Sequence, residues 1–169
     1  METVDAVKLV DKIAEEACTS LFQAYGVPLE TVPAVGATAP TLSAVIGFSG
    51  PGIRGTCILA ATESPINMSN PIGGSPRVWI AELSNQLVGR IKNKLLAHGA
   101  EVYVTTPVVL RGELLAPVDG ASNKMPPRVF ASEGGNVFVW IELETDPGLV
   151  LSLTPGPEAA AEEGEQMMF

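Results

Sequence analysis

One apolar stripe along residues 78–95 constrains the fold more than any other pattern in this chain. At 3.6 residues per turn, five large apolar side chains fall on one side of a helix. They are Ile80, Leu83, Leu87, Ile91 and Leu95. Ser75 suits the N-cap and Pro76 the first helical position, while Gly99 suits the position just after a helix end. The pattern predicts a long amphipathic helix from about Pro76 to His98, with His98 near the negative end of the helix dipole.

The opposite side of this helix carries a different set of side chains, confined to roughly 80° of arc. They are Val78, Glu82, Asn85, Gly89 and Lys92. If the apolar stripe faces the core, this second stripe is exposed, and the carboxylate of Glu82 and the carboxamide of Asn85 can meet a partner together. A glycine on an exposed helix face costs about 1 kcal/mol relative to Ala, but it lets another backbone come close. An ordinary solvated face is the alternative interpretation.

Trp79 flanks this outward stripe and has two equally good interpretations. It can line a docking surface, or it can pack half-buried with its indole nitrogen bonded. The single histidine, His98, has no Ser/Asp or Cys pattern near it, so a role at the helix end is favoured over catalysis.

Composition bounds the function classes. The 169 residues are 46% hydrophobic, enough for one domain with a core. A formal net charge of -9 disfavours binding to nucleic acid. No apolar run reaches the roughly 18 residues of a membrane span, and the N-terminus lacks signal-peptide features. Cys18 and Cys57 fit no metal or redox motif and are expected to be buried, reduced thiols. Together these points predict a cytoplasmic protein.

Periodicity elsewhere predicts an α+β domain in which two long helices pack on a mainly antiparallel sheet. The first helix is expected from a Thr3 cap to about Tyr25, and a short helix near residues 63–69. Strands are predicted at Val32–Val35, Leu42–Phe48, Ile53–Ala60, Glu101–Val104, Pro107–Ala116, Arg128–Glu133, Val137–Glu144 and Leu149–Leu153. Residues 119–127 are expected to form a loop. A domain over 1–154 is expected to precede a disordered acidic tail over 155–169.

The sequence around Glu82-x-x-Asn85, from Ile80 to Gly89, resembles the signature helix of the CheC/CheX/FliY phosphatases of bacterial chemotaxis. Residues 43–55 resemble the hairpin before that helix, and 106–112 resemble the strand after it. The resemblance extends over about residues 5–153 and is closest to the CheX branch, which carries one such helix.

The resemblance implies an enzyme that dephosphorylates the aspartyl phosphate of a CheY-like response regulator. Asn85 would orient the attacking water, and Glu82 would pair with a lysine of the regulator. Val78, Trp79, Gly89 and Lys92 would contribute to the partner-binding surface. The resemblance implies no cofactor for this chain, because the Mg²⁺ would belong to the regulator. Catalysis would consist of positioning, the main contribution in phosphoryl transfer.

Two alternatives to a phosphatase remain at this stage. The family pattern often has Asp or Ser four residues before the Glu, where this chain has Val78, and this favours docking on a regulator without hydrolysis. A structural subunit of a flagellar switch is the other alternative. A homodimer is also considered, with Val137–Leu143 as an exposed sheet edge.

Overall fold

A computed structural model describes residues 5–113, 115, 126–152 and 154–156, and within them three helices and seven strands form an α+β domain. The predicted fold class is confirmed. The helices are α1 (Ala6–Ala24), α2 (Glu63–Ser69) and α3 (Pro76–Ala97). The strands are β1 (Glu30–Val32), β2 (Leu42–Gly50), β3 (Ile53–Ala61), β4 (Tyr103–Val104), β5 (Val108–Arg111), β6 (Arg128–Ser132) and β7 (Gly135–Thr145).

The N-terminal helix α1 begins later than its sequence pattern suggested. Asp5 is the N-cap, and its carboxylate accepts hydrogen bonds from the backbone nitrogens of Val7 and Lys8. An Asp cap satisfies two otherwise unpaired N–H groups, so the prediction of a Thr3 cap is wrong. Thr3 itself lies outside the described residues.

Every strand pair in the described sheet is antiparallel, in the order β1-β6-β7-β3-β2-β4, with β5 also pairing with β2. Two hairpins supply its centre. In the β2–β3 hairpin, Pro51 and Gly52 form the turn, and the φ of +74° at Gly52 explains the glycine there. In the β6–β7 hairpin, Gly134 takes a φ of +78°.

The two long helices cover one face of this sheet. Side chains alternate along each strand, and one set joins the helices in the main core. In β7 that set is Val137, Val139, Ile141 and Leu143. Ion pairs at the edge of this core hold α1 in place. Arg128 of β6 pairs with Asp11 and Glu15 of α1, and Lys94 of α3 pairs with Glu16 of α1.

Three details of the predicted strands differ in the structure. The first strand ends at Val32, and Val35 is 94% exposed in the loop that follows. Residues 149–152 form no strand, and Ser152 instead donates its backbone N–H to the His98 carbonyl at the end of α3. The segment Val137–Leu143 is an open edge only in part, because β3 pairs with all of it whereas β6 pairs with Val137–Val139 alone. At residues 137–139, a second copy could pair along β7 only if the sheet opened.

The end of α3 is closed as the sequence predicted. Gly99 has a φ of +92°, and the backbone nitrogens of Gly99 and Ala100 donate to the carbonyls of Leu96 and Leu95 at 3.0 and 2.9 Å. This is a Schellman motif. His98 also anchors the chain after β7, because its ring Nδ1 lies 2.6 Å from the carbonyl oxygen of Ser152.

Most of the remaining sequence predictions fall partly outside the described residues. The strand expected over 107–116 is confirmed only at Val108–Arg111, and the expected loop at 119–127 is described only at its last two residues. Gly156, in the expected tail, donates its backbone N–H to the Ala97 carbonyl at 2.8 Å. Residues 157–169 lie outside the description. No described helix is both long and apolar enough to cross a membrane.

Candidate functional site

Helix α3 presents its two predicted stripes to opposite environments. All five side chains of the apolar stripe are buried in the main core. On the opposite side Val78 is 67% exposed, whereas Glu82, Asn85, Gly89 and Lys92 are partly exposed. The outward stripe therefore reaches solvent, but less fully than an isolated helix face would.

Glu82 is held by a chain of hydrogen bonds that begins at the C-cap of another helix. The Tyr25 hydroxyl, just after α1, donates to Oε1 of Gln86 at 2.9 Å. Nε2 of Gln86 donates in turn to Oε1 of Glu82, also at 2.9 Å. Because an ionised carboxylate only accepts hydrogen bonds, the amide nitrogen of Gln86 must face Glu82, and its oxygen must face Tyr25.

Trp79 packs beneath the Tyr25–Gln86–Glu82 hydrogen bonds and does not lie on the outer surface. It is only 8% exposed, and its ring meets that of Tyr25 edge to face, with centroids 4.9 Å apart. Its indole nitrogen donates to Oγ of Ser69 in α2 at 2.9 Å. The placement of Trp79 on the docking surface is therefore wrong, and the packing interpretation fits.

Asn85 lies one turn beyond Glu82 on the same outward side of α3. Its carboxamide makes no hydrogen bond to any residue in the described part of the chain, and it is partly exposed. A free carboxamide offers one acceptor and two donor hydrogens to an incoming group. This side chain can therefore contact a water molecule and an anionic oxygen at the same time.

Val78 and Lys92 stand at the two ends of the outward stripe. Val78 adds an exposed apolar surface one turn before Glu82. Lys92 has no ion pair with any described residue, so its ammonium is available to a partner. Within the described ranges, no three His, Cys, Asp or Glu side chains cluster as a metal site would require.

Both cysteines lie in the main core, away from the outward stripe. Burial raises the pKa of the Cys57 thiol to about 12. Burial, with a smaller contribution from the nearby Cys57, raises the pKa of the Cys18 thiol well above its ordinary value. These thiols are therefore protonated at neutral pH, and the prediction of buried reduced cysteines is confirmed.

Comparison with known proteins identifies the architecture. No protein-family model matches the chain, and no curated protein sequence matches it. Among solved structures, the chemotaxis protein CheX from Vibrio vulnificus superposes with a TM-score of 0.69 at 19% identity, covering 78% of this chain and 97% of that one. A CheC-like superfamily protein from Shewanella sp. PV-4 gives 0.65 at 19% identity, covering 83% and 99%.

The chain has the CheX/CheC-like fold. A further match is a chain in the CheX-CheY-BeF3-Mg+2 complex from Borrelia burgdorferi, with a TM-score of 0.61 at 16% identity, covering 79% of this chain and 96% of that one. The coverage spans nearly the whole of each CheX-like chain, so the likeness concerns the complete domain.

Sequence reasoning missed Gln86 and Tyr25. The spacing of Glu82 and Gln86, at i and i+4 on one helix, was a signal that could have revealed their contact. Tyr25 carried no such signal, because its bond to Gln86 joins residues 61 positions apart and exists only once α1 and α3 pack together.

Proposed function

We propose that this protein is a CheX-like phosphatase that accelerates hydrolysis of the aspartyl phosphate of a CheY-like response regulator. The observation that carries the proposal is the pairing of Glu82 and Asn85 on the outward side of α3, within a CheX/CheC-like fold. The Glu82 carboxylate is held by Gln86, and the Asn85 carboxamide has no hydrogen-bond partner in the described part of the chain. Both side chains therefore suit insertion into the site of another protein.

In the proposed reaction Asn85 is the catalytic residue and Glu82 the docking residue. The Asn85 carbonyl oxygen accepts a hydrogen bond from the attacking water, and its amide group donates to a phosphoryl oxygen. Water attacks phosphorus, the bond to the regulator's aspartyl oxygen breaks, and the products are inorganic phosphate and the free carboxylate. Glu82 pairs with a lysine of the regulator and sets the register. The effect on rate comes from orientation, which suits phosphoryl transfer.

The regulator, and not this chain, would supply the divalent cation. The Borrelia burgdorferi complex, which contains CheY, BeF3 and Mg+2 beside a CheX, supports this choice of partner by analogy of fold. We likewise propose that Val78, Gly89 and Lys92 form the contact surface around the two polar side chains.

The test is a phosphate-release assay against stand-alone receiver domains from the same organism. Asn85→Ala is expected to lower the acceleration on the order of 100-fold, because a positioned donor is lost, while binding to the regulator persists. Asn67→Ala, which truncates an exposed Asn on α2, is the matched control and should keep wild-type activity. Equal rates for Asn85→Ala and the wild type would refute the catalytic role.

A second candidate function is docking on a regulator without hydrolysis. The observation that favours it is the apolar, 67% exposed Val78 one turn before Glu82. It predicts that the wild-type protein binds a receiver domain loaded with beryllofluoride and Mg²⁺ yet leaves the rate of phosphate loss unchanged. Measuring both binding to the loaded receiver domain and phosphate release therefore separates the two candidate functions.

A further inference from the structure

The Tyr25–Gln86–Glu82 chain has a geometry that fits a positioning role. Gln86 bonds only one oxygen of the Glu82 carboxylate, Oε1. The other oxygen, Oε2, accepts no hydrogen bond and forms no ion pair with any residue that the structure describes. The carboxylate is thus fixed at one oxygen and open at the other.

The Tyr25 end of this hydrogen-bonded chain is itself held by further contacts. The Tyr25 ring contacts Trp79 edge to face, and Trp79 is tied to Ser69, whose hydroxyl donates to the Ile66 carbonyl at 3.1 Å. Ser69 and Ile66 are buried in α2. Three helices therefore contribute to fixing a single carboxylate on the surface of α3.

A long acidic side chain on a helix ordinarily samples several rotamers, and binding then loses the entropy of this side chain when it is immobilised. A side chain already held in its bound rotamer avoids that loss. We infer that Gln86, oriented by the Tyr25 hydroxyl, is a positioning residue. It holds the Glu82 carboxylate in the rotamer in which Oε2 can bind a lysine ammonium of a partner protein. This inference rests on the proposed function only for the identity of the partner.

The first experiment measures the position of Glu82 in the isolated protein. Three-bond coupling constants of Glu82 are expected to report one χ1 rotamer in the wild type. Averaged values are expected in Gln86→Leu and Tyr25→Phe, and the latter variant keeps the ring and its contact with Trp79. A Glu82 side chain that is averaged in the wild type, or fixed in both variants, would overturn the positioning role whatever the protein's activity.

The second experiment measures binding to a receiver domain loaded with beryllofluoride and Mg²⁺. Tyr25→Phe and Gln86→Leu should each raise Kd, and the half-saturating regulator concentration in phosphate release, by about threefold to tenfold, the range of one net hydrogen bond. The kcat should be unchanged, because Asn85 is untouched.

A double-mutant cycle separates positioning from a general structural effect. In a Glu82→Ala background, Tyr25→Phe and Gln86→Leu should cause no further rise in Kd, since the group they hold is gone. Equal rises in both backgrounds, or no rise in either, would refute the inference. A wild-type protein that binds no loaded receiver domain would instead refute the proposed partner and leave the coupling-constant result as the test of the positioning role.

Discussion

At the scale of single residues, Glu82 and Asn85 share one surface but have different surroundings. Glu82 is bonded to Gln86, whereas Asn85 makes no hydrogen bond within the described chain. This difference matches a division of work in which one side chain fixes the register of a complex and the other contacts the reacting atoms. Substitutions at the two residues should therefore affect different measurements, namely the Kd for Glu82 and the rate of phosphate release for Asn85.

Glu82→Gln removes the charge of the proposed docking residue and keeps its shape. We expect it to raise the Kd for a loaded receiver domain by about 10- to 100-fold, because a hydrogen bond to a charged group contributes about 1.5–3 kcal/mol. The Kd can be measured by titration calorimetry. Glu30→Gln, at an exposed position on β1, removes the same charge away from α3 and should leave Kd unchanged. A similar rise for both variants would mean that net charge, not Glu82, controls binding.

At the scale of elements, the stability of α3 depends on how its C-terminal end is closed as well as on its packing. The helix stops at a Schellman motif, and the chain then bonds to residues 152 and 156 through His98 and Ala97. The C-terminal part of the domain is therefore fastened to the same helix that carries the candidate site. Fraying at this end of α3 would loosen both the C-terminal part of the domain and the helix that carries the candidate site.

Gly99→Ala tests that helix end. A Cβ at Gly99 would meet no atom within 4 Å, so the cost comes only from the φ of +92°, and we expect a loss of about 1–2 kcal/mol in the free energy of unfolding. Chemical denaturation measures it. Gly148→Ala is the matched control, since its Cβ would also meet open space and its φ is not in the left-handed region. A loss at Gly148 as large as at Gly99 would contradict the argument.

At the scale of the whole molecule, the core holds two protonated thiols between α1 and the sheet. In the unfolded chain a thiol ionises with a pKa near 9.0, whereas folding raises the pKa of Cys57 to about 12 and that of Cys18 further. Between these values the folded state binds more protons than the unfolded state. The free energy of unfolding must therefore fall as pH rises above 9.

We expect that fall to reach about 1.4 kcal/mol per thiol by pH 10, because that pH lies one unit above the unfolded pKa. Denaturation at pH 8, 9 and 10 measures it. The Cys18→Ala/Cys57→Ala double variant should lose stability at all pH values because it leaves cavities, yet its stability should depend less steeply on pH. Parallel pH profiles for the two proteins would show that the thiols do not contribute.

Much of the fold was readable from local patterns. The five apolar side chains of α3, the Pro76 start and the Gly99 end all follow from helical spacing and backbone geometry, and the β2–β3 hairpin from Gly and Pro at its turn. The pair Glu82 and Asn85 was found for the same reason, since opposite sides of one helix are fixed by its period.

Other features depended on contacts that no local pattern contains. Val137–Leu143 has the same alternation whether it lies at an edge or in the centre, and only the pairing shows that β6 covers it as far as Val139 while β3 pairs with all of it. Trp79 suits a surface or a core equally well, and the positions of Tyr25 and Ser69 place it in the core.

The sequence by itself determined which residues share a side of each helix or strand, because those relations depend only on the repeat of the backbone. Only the tertiary structure decided that Glu82 is held from behind, because the hydrogen bond between Tyr25 and Gln86 joins two helices that are distant in the chain. Packing brings such groups together through the summed burial of many apolar side chains, and no short stretch of sequence encodes that sum.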